Sequence, residues 1–218
     1  MMAFAAPPEA MQEEAFAEYH LYTLPRRTTI KQNQSKQVSL LTASGVGVKK
    51  LYEYRGNESF YSRRIPPVDK HGVDVFLVFQ NEEKNQLGMP LPAGIMRIYQ
   101  EDSQGMQQFV GEDRIKHTPK DEKVRLKMGQ AFDVVAERKQ TDYERLSDHV
   151  HEAAFEIKVR NHKENDVTVR IVEPMMGEWR VLKASHDHVK EDSRTAVFAL
   201  PTPKDGETVL TYRVRVEQ

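Results

Sequence analysis

Two short segments of the chain place imidazoles two residues apart, Asp148-His149-Val150-His151-Glu152 and Ser185-His186-Asp187-His188. Alternate residues of an extended backbone share a face, so each segment presents two ring nitrogens to a metal, with Asp148, Glu152 or Asp187 as further ligands. Four nitrogens together would suit zinc or copper. The spacing of the strand-like runs argues against such a union. If 153–160, 166–173 and 178–185 run up, down and up, one pair starts a strand and the other ends one, about 26 Å away at the usual rise per residue. We therefore read these histidines as solvated side chains near turns and expect no joint metal site. A second cluster, residues 111–119, packs Glu112, Asp113, Arg114, Lys116 and His117 closely enough for general acid–base chemistry. Gly111 and Pro119 read as turn residues, and opposite charges on a half-exposed strand pair locally, so a solvated face is the preferred reading. A third, from Arg55 to Lys70 with Tyr52 and Tyr54 just before it, interleaves Phe60 and Tyr61 with Arg63 and Arg64. Such side chains stack on sugars or single-stranded nucleic acid. They also snorkel from a long loop of the kind that Gly56, Asn57, Pro66 and Pro67 announce.

No serine elbow, phosphate-binding glycine loop, HExxH or EF-hand spacing occurs. The absence of cysteine excludes disulfides, thiolate metal sites and a thiol nucleophile. No catalytic residue, metal ligand or cofactor is assigned on these grounds. Thirty-two basic residues against thirty-three acidic leave a net charge of -1, so no global field steers the chain onto nucleic acid or an anionic membrane. No apolar run approaches the length of a membrane span. The opening MMAFAAPPEA lacks a basic residue ahead of its short apolar patch and reads as a tail rather than a signal peptide.

The elements that would hold these residues are strands. YHLYTL, KQVSLLT, VGVKKLYEYR and VDVFLVFQ are rich in strand formers and bounded by turn residues. Val75 to Phe79 is apolar on both faces, as in a strand enclosed between layers. LGMPLPAG, residues 87–94, reads as a bend or edge. IMRIYQ and MQQFVG make a hairpin whose Gly105 takes a positive φ. EKVRLKM, Gly129 and AFDVVAERKQ follow as strand, break, strand. The last third alternates most cleanly: Phe155, Ile157 and Val159 share a face, as do Val167, Val169 and Ile171, and then Leu210, Tyr212, Val214 and Val216. Helical spacing occurs in a short candidate over MQEEAFAEY and again over YERLSDHVHEAA, residues 143–154, which is nevertheless read as strand and linker. Trp179 is taken as a core residue.

The expected fold is all-β, built of antiparallel β-sandwiches: a flexible tail over 1–18, an N-terminal β-sandwich-like domain over 19–145, and an immunoglobulin-like β-sandwich domain over 146–218, meeting near 141–150.

Five stretches, NQLGMPLPAGIMRIYQ, FVGEDRIKHTPKDEKVRL, GQAFDVVAERKQTDYERL, EIKVRNHKENDVTVRIVEPMMGEWRV and LTYRVRV, together resemble the C-terminal domain of unknown function of bacterial mucoidy-inhibitor-A-like proteins. The resemblance runs from about Tyr22 to Arg215. It implies a bacterial envelope or secreted protein, periplasmic or extracellular, but transfers no catalytic residue. Family members carry an upstream signal peptide, a further small domain and a coiled coil, none of which is in this sequence. The expected function is binding or assembly, through contact with an envelope protein or polysaccharide or through homo-oligomer formation at edge strands. KQVSLLT and VGVKKLYEYR are the expected edges, guarded by their lysines. The alternative is a carbohydrate-active or hydrolase-like domain using 111–119.

Overall fold

A computed structural model describes residues 11–24, 27–66 and 69–217. The chain is all-β, and among the strand pairs whose register is described all are antiparallel except β3 with β9. Its strands are β1 (Gln12–Phe16), β2 (Tyr19–Thr23), β3 (Lys49–Arg55), β4 (Asp69–Gln80), β5 (Gly94–Glu101), β6 (Gln107–Ile115), β7 (Lys123–Arg145), β8 (Val150–Asn161), β9 (Val167–Pro174), β10 (Glu178–Ala184), β11 (His188–Asp192), β12 (Thr195–Thr202) and β13 (Gly206–Glu217). They separate into two compact units: residues 1–47, 79–93 and 116–124, and residues 48–78, 94–115 and 125–218. Most of the expected tail, residues 1–10, lies outside the described residues.

The larger unit holds a nine-stranded sheet in the order β10-β13-β8-β7-β4-β3-β9-β12-β11, with β3 and β9 parallel. Laid flat, nine strands at about 4.8 Å spacing would put β10 and β11 nearly 40 Å apart. Those two strands are consecutive, and the link between them, residues 185–187, reaches only about 14 Å. The sheet must therefore fold over on itself. Residues 203–205 join β12 to β13 in the same way. The result is a β-sandwich in which β12 faces β13 and β8 across the core. The ring of Phe198 on β12 lies 5.2 Å from that of Tyr212 on β13, which in turn stacks at 5.3 Å on Phe155 of β8.

Alternation explains which side chains fill this space. Phe155, Ile157, Val159, Val169, Ile171, Leu210, Val214 and Val216 are buried, while Thr211 and Glu217, out of phase with them, are exposed. The expected junction near 141–150 falls in the turn between β7 and β8, which pair from Val134↔Asn161 to Arg145↔His151. Strands from both sides of residue 146 thus belong to one sheet.

Several local expectations need correction. MQEEAFAEY is not helical: Gln12–Phe16 pairs with Tyr19–Thr23 as a hairpin, with Ala17 at φ 53, because Tyr19 to Thr23 supplies strand formers for a mate. KQVSLLT forms no strand. VGVKKLYEYR yields β3, an interior strand between β4 and β9 and so not an edge. Val75 and Phe79 are buried, but Phe76, Leu77 and Val78 are only half-buried, so the run is not enclosed on both faces. Residue 129 does not break β7, because glycine carries the chain through at φ 142. Gly111 sits inside β6 and not at a turn. The Gly105 hairpin forms as expected, with φ 79.

Candidate functional site

The most concentrated polar chemistry of the larger unit lies inside its core. Arg138 on β7 and Glu173 on β9 are fully buried and ion-paired, Arg138 Nη2 to Glu173 Oε1. Tyr61, at the end of a 3-10 turn over Glu58–Tyr61, donates its hydroxyl to the other carboxylate oxygen. The Tyr212 hydroxyl lies 3.2 Å from that of Tyr61 and accepts from Arg138 Nη1 at 3.1 Å. The guanidinium also lies 5.2 to 5.5 Å from the ring centres of Tyr54, Phe60 and Phe155.

Burial, followed by the charge of Glu173, pushes the Tyr61 phenol well above its ordinary value, and burial raises Tyr212 likewise. Burial works against the Arg138 charge, but Glu173 and the two hydroxyls outweigh it, so the guanidinium is held above its usual value. Gly56 completes the arrangement. A Cβ there would run into the Glu173 carboxylate and Arg138 Nη2, so only glycine lets the chain pass. Enclosed by aromatic rings, this network ties β7, β9, β13 and the 58–61 turn together through hydrogen bonds from Nη1 and Nη2 of the guanidinium, while the buried Nε has no hydrogen-bond partner.

That network absorbs much of the aromatic and basic stretch. Tyr54 and Tyr61 are core residues, Arg63 bonds back to Ser59 at 3.3 Å, and Arg64 reaches the Tyr143 carbonyl at 3.3 Å. Pro67 lies outside the described residues. Arg138 and Glu173 were missed in the sequence, although both carry a signal. Arg138 continues the buried phase of Val134 and Ala136, and Glu173 that of Val169 and Ile171. Opposite charges that fall in the buried phase of two alternating strands announce a buried pair.

The histidine segments are dispersed. His151 is buried with Nδ1 2.9 Å from the Tyr143 hydroxyl, and Val150 N bonds Ser147 Oγ beside His149 in the turn. His186 Nδ1 meets Ser185 Oγ at 2.9 Å, and the His188 ring packs between Trp179 and Phe198. Glu152 is held by Arg213 at 3.0 Å and Arg215 at 2.7 Å, which keeps its carboxyl below the ordinary glutamate range. Among the described residues no three metal-ligating side chains converge.

Trp179 is half-buried where the two ends of the sheet meet. Its Nε1 donates to Ser193 O at 2.9 Å, and Lys190 Nζ lies 4.8 Å over the indole.

In segment 111–119, Glu112 pairs with Arg97 on the neighbouring strand at 3.2 Å. Asp113 accepts from the amides of Arg114 at 2.8 Å and Lys127 at 2.7 Å. His117 belongs to the smaller unit, where its Nδ1 accepts from Ala93 N at 3.3 Å.

The β5–β6 hairpin is a separate two-stranded sheet. Gly111 brings its inner face against the β7 backbone at Met128, an approach that a Cβ would block, and the Asp113–Lys127 bond fixes it there. The other face carries Ile95, Tyr99 and Phe109, each more than half exposed. Tyr99 and Phe109 are cross-strand partners in edge contact at 5.7 Å, and the Arg97–Glu112 pair flanks them.

Comparison with protein-family models, with curated proteins and with solved structures returns no match to this chain. Among the described residues, no helix is long and apolar enough to cross a membrane.

Proposed function

We propose that the chain is a binding or assembly module of a bacterial envelope or secreted protein, related to the C-terminal domain of the mucoidy-inhibitor-A-like family, and that it acts by contact rather than turnover. The observation that carries this reading is the outer face of the β5–β6 hairpin. An aromatic pair at 52% and 56% exposure, bordered by Ile95 and a cross-strand ion pair, has the apolar centre and polar rim of a protein-contact patch. A two-stranded ribbon gains stability when a partner covers such a face. The acids of segment 111–119 support the same reading, since Arg97 and two backbone amides already engage them.

The test is sedimentation velocity of the full chain, alone and with envelope proteins, against the double variant Tyr99→Ser/Phe109→Ser. The expected result is concentration-dependent association, with itself or with one envelope component, that the variant loses. A chain that stays monomeric and binds nothing, yet hydrolyses a glycan or ester and loses that activity on Glu112→Gln or His117→Ala, would reverse the proposal in favour of an enzyme.

A further inference from the structure

The smaller unit holds a cleft of about 450 Å³ that none of the foregoing uses. Tyr19, His20 and Tyr22 of β2 line one side, and the bend at Pro90, Leu91 and Pro92 lines the other, with His117 and Thr118 beside it. The size suits a ligand fragment of a few residues.

The walls are fixed from within. Asn81, fully buried, donates to the carbonyls of Met89 and Pro119 at 2.8 Å each and accepts from Gly88 N at 3.1 Å. Leu91 and Thr118 exchange backbone hydrogen bonds at 2.8 and 2.9 Å. Tyr22 donates its hydroxyl to Pro90 O at 2.9 Å, and burial together with the Glu13 charge keeps that phenol protonated beyond its usual range. These contacts hold proline rings and tyrosine rings apart at a set width.

Glu18 is the one carboxylate among the residues that line the cleft, and no lysine or arginine lines it. Residues 11–24 include Glu13, Glu14 and Glu18 and no lysine or arginine. Glu13 is engaged by His20 Nδ1 at 2.7 Å, and Glu14 pairs across from Leu21 on the other face of the hairpin, whereas Glu18 lines the cleft and has no partner among the described residues. Tyr19, beside Glu18, is 75% exposed. On His117, Nδ1 accepts from Ala93 N, so the neutral ring carries its proton on Nε2, a donor suited to a carbonyl.

We infer that this cleft binds an extended, proline-containing peptide segment with an arginine or lysine next to its apolar residues. Aromatic grooves take polyproline-type segments because the ligand is already extended and loses little freedom on binding. The unpaired Glu18 carboxylate and the exposed Tyr19 ring complement a cation, by charge and by cation–π contact. An acidic ligand would meet repulsion. The exposed lining is largely apolar, which proline rings match better than the hydroxyls of a glycan.

The experiment is fluorescence anisotropy on the full chain with a labelled peptide of repeating Pro-Pro-Arg, its Pro-Pro-Glu counterpart, and a neutral hexasaccharide as competitor. The arginine peptide is expected to bind saturably and at least about tenfold more tightly than the glutamate one. Tyr19→Ala should weaken binding about tenfold and Glu18→Lys about fivefold, with unchanged melting because both side chains are exposed. The variant Tyr99→Ser/Phe109→Ser should bind the peptide as the parent chain does, which separates this site from the hairpin surface. Equal or absent binding of the two peptides, indifference to Tyr19→Ala and Glu18→Lys, loss of binding in the hairpin variant, or displacement by the hexasaccharide would each overturn the assignment.

Discussion

The interior of the sandwich and the β5–β6 hairpin are made from the same kinds of residue and dispose of them in opposite ways. In the first, Tyr54, Tyr61, Phe155, Phe198 and Tyr212 are buried, and even an arginine and a glutamate are taken out of water. In the second, Tyr99 and Phe109 sit on a two-stranded ribbon with their rings in solvent. The difference is the number of layers. An alternating strand buries its apolar face only where a second layer of this chain covers it, and the hairpin is covered on one face alone. Residue type therefore says what a face can do, and topology says whether it is already doing it.

The sharpest way to break the comparison is at the buried pair. Arg138→Met leaves the Glu173 carboxylate without its counter-charge in a dry core and should cost about 3 to 5 kcal/mol in urea denaturation. The double change Arg138→Met/Glu173→Leu should recover much of that loss, since an apolar pair needs no compensation. If the single variant is as stable as the double, the ion pair carries no such tension.

Trp179→Ala should cost less, about 2 kcal/mol, in place of the 3 to 5 kcal/mol that full enclosure would imply, because the indole closes a seam and is only half-buried. A melting point unchanged from the parent would show that the seam does not depend on it.

Glu152 should set part of the acid limb of stability. Its folded pKa lies below the unfolded value of about 4.3, so its contribution is complete above that pH and is lost as pH falls through the folded value. Glu152→Gln should lower stability at neutral pH and flatten the decline between about pH 5 and 3, as read from denaturation midpoints across that range. A parallel decline in both proteins would remove Glu152 from the account.

The smallest effect on stability belongs to the hairpin. Tyr99→Ser/Phe109→Ser should shift unfolding by no more than about 0.5 kcal/mol per site while abolishing association. A large loss of stability would mean that the two rings serve the fold rather than a partner.

The core was legible wherever period-two alternation ran uninterrupted. Phe155, Leu210 and Val169 lie on the face that their spacing assigns. The network was less legible, because charge argues for exposure and only the phase of Arg138 and Glu173 argued otherwise. Sheet order was not legible at all. VGVKKLYEYR reads as an exposed edge because nothing in the segment reports that β9, more than a hundred residues later, pairs in parallel beside it. KQVSLLT has strand composition but lacks a mate, and a strand exists only as a pairing. The cleft of the smaller unit was split between LGMPLPAG, read as a bend, and YHLYTL, read as a strand, with no local signal that the two share a site.

The interleaving of early and late strands also has a consequence for synthesis. β8 and β9 follow one another in the chain, yet β7, β4 and β3 lie between them in the sheet, and all three leave the ribosome first. The central trio is therefore made with both flanks open, and it waits for β8 and β9 to add the two wings before the loop at 185–187 can draw β10 and β11 together. Pairings this distant in sequence form slowly. Through that interval the flank of β3 is guarded by Lys49, Lys50 and Arg55, charges that discourage a foreign strand from docking where β9 will later lie.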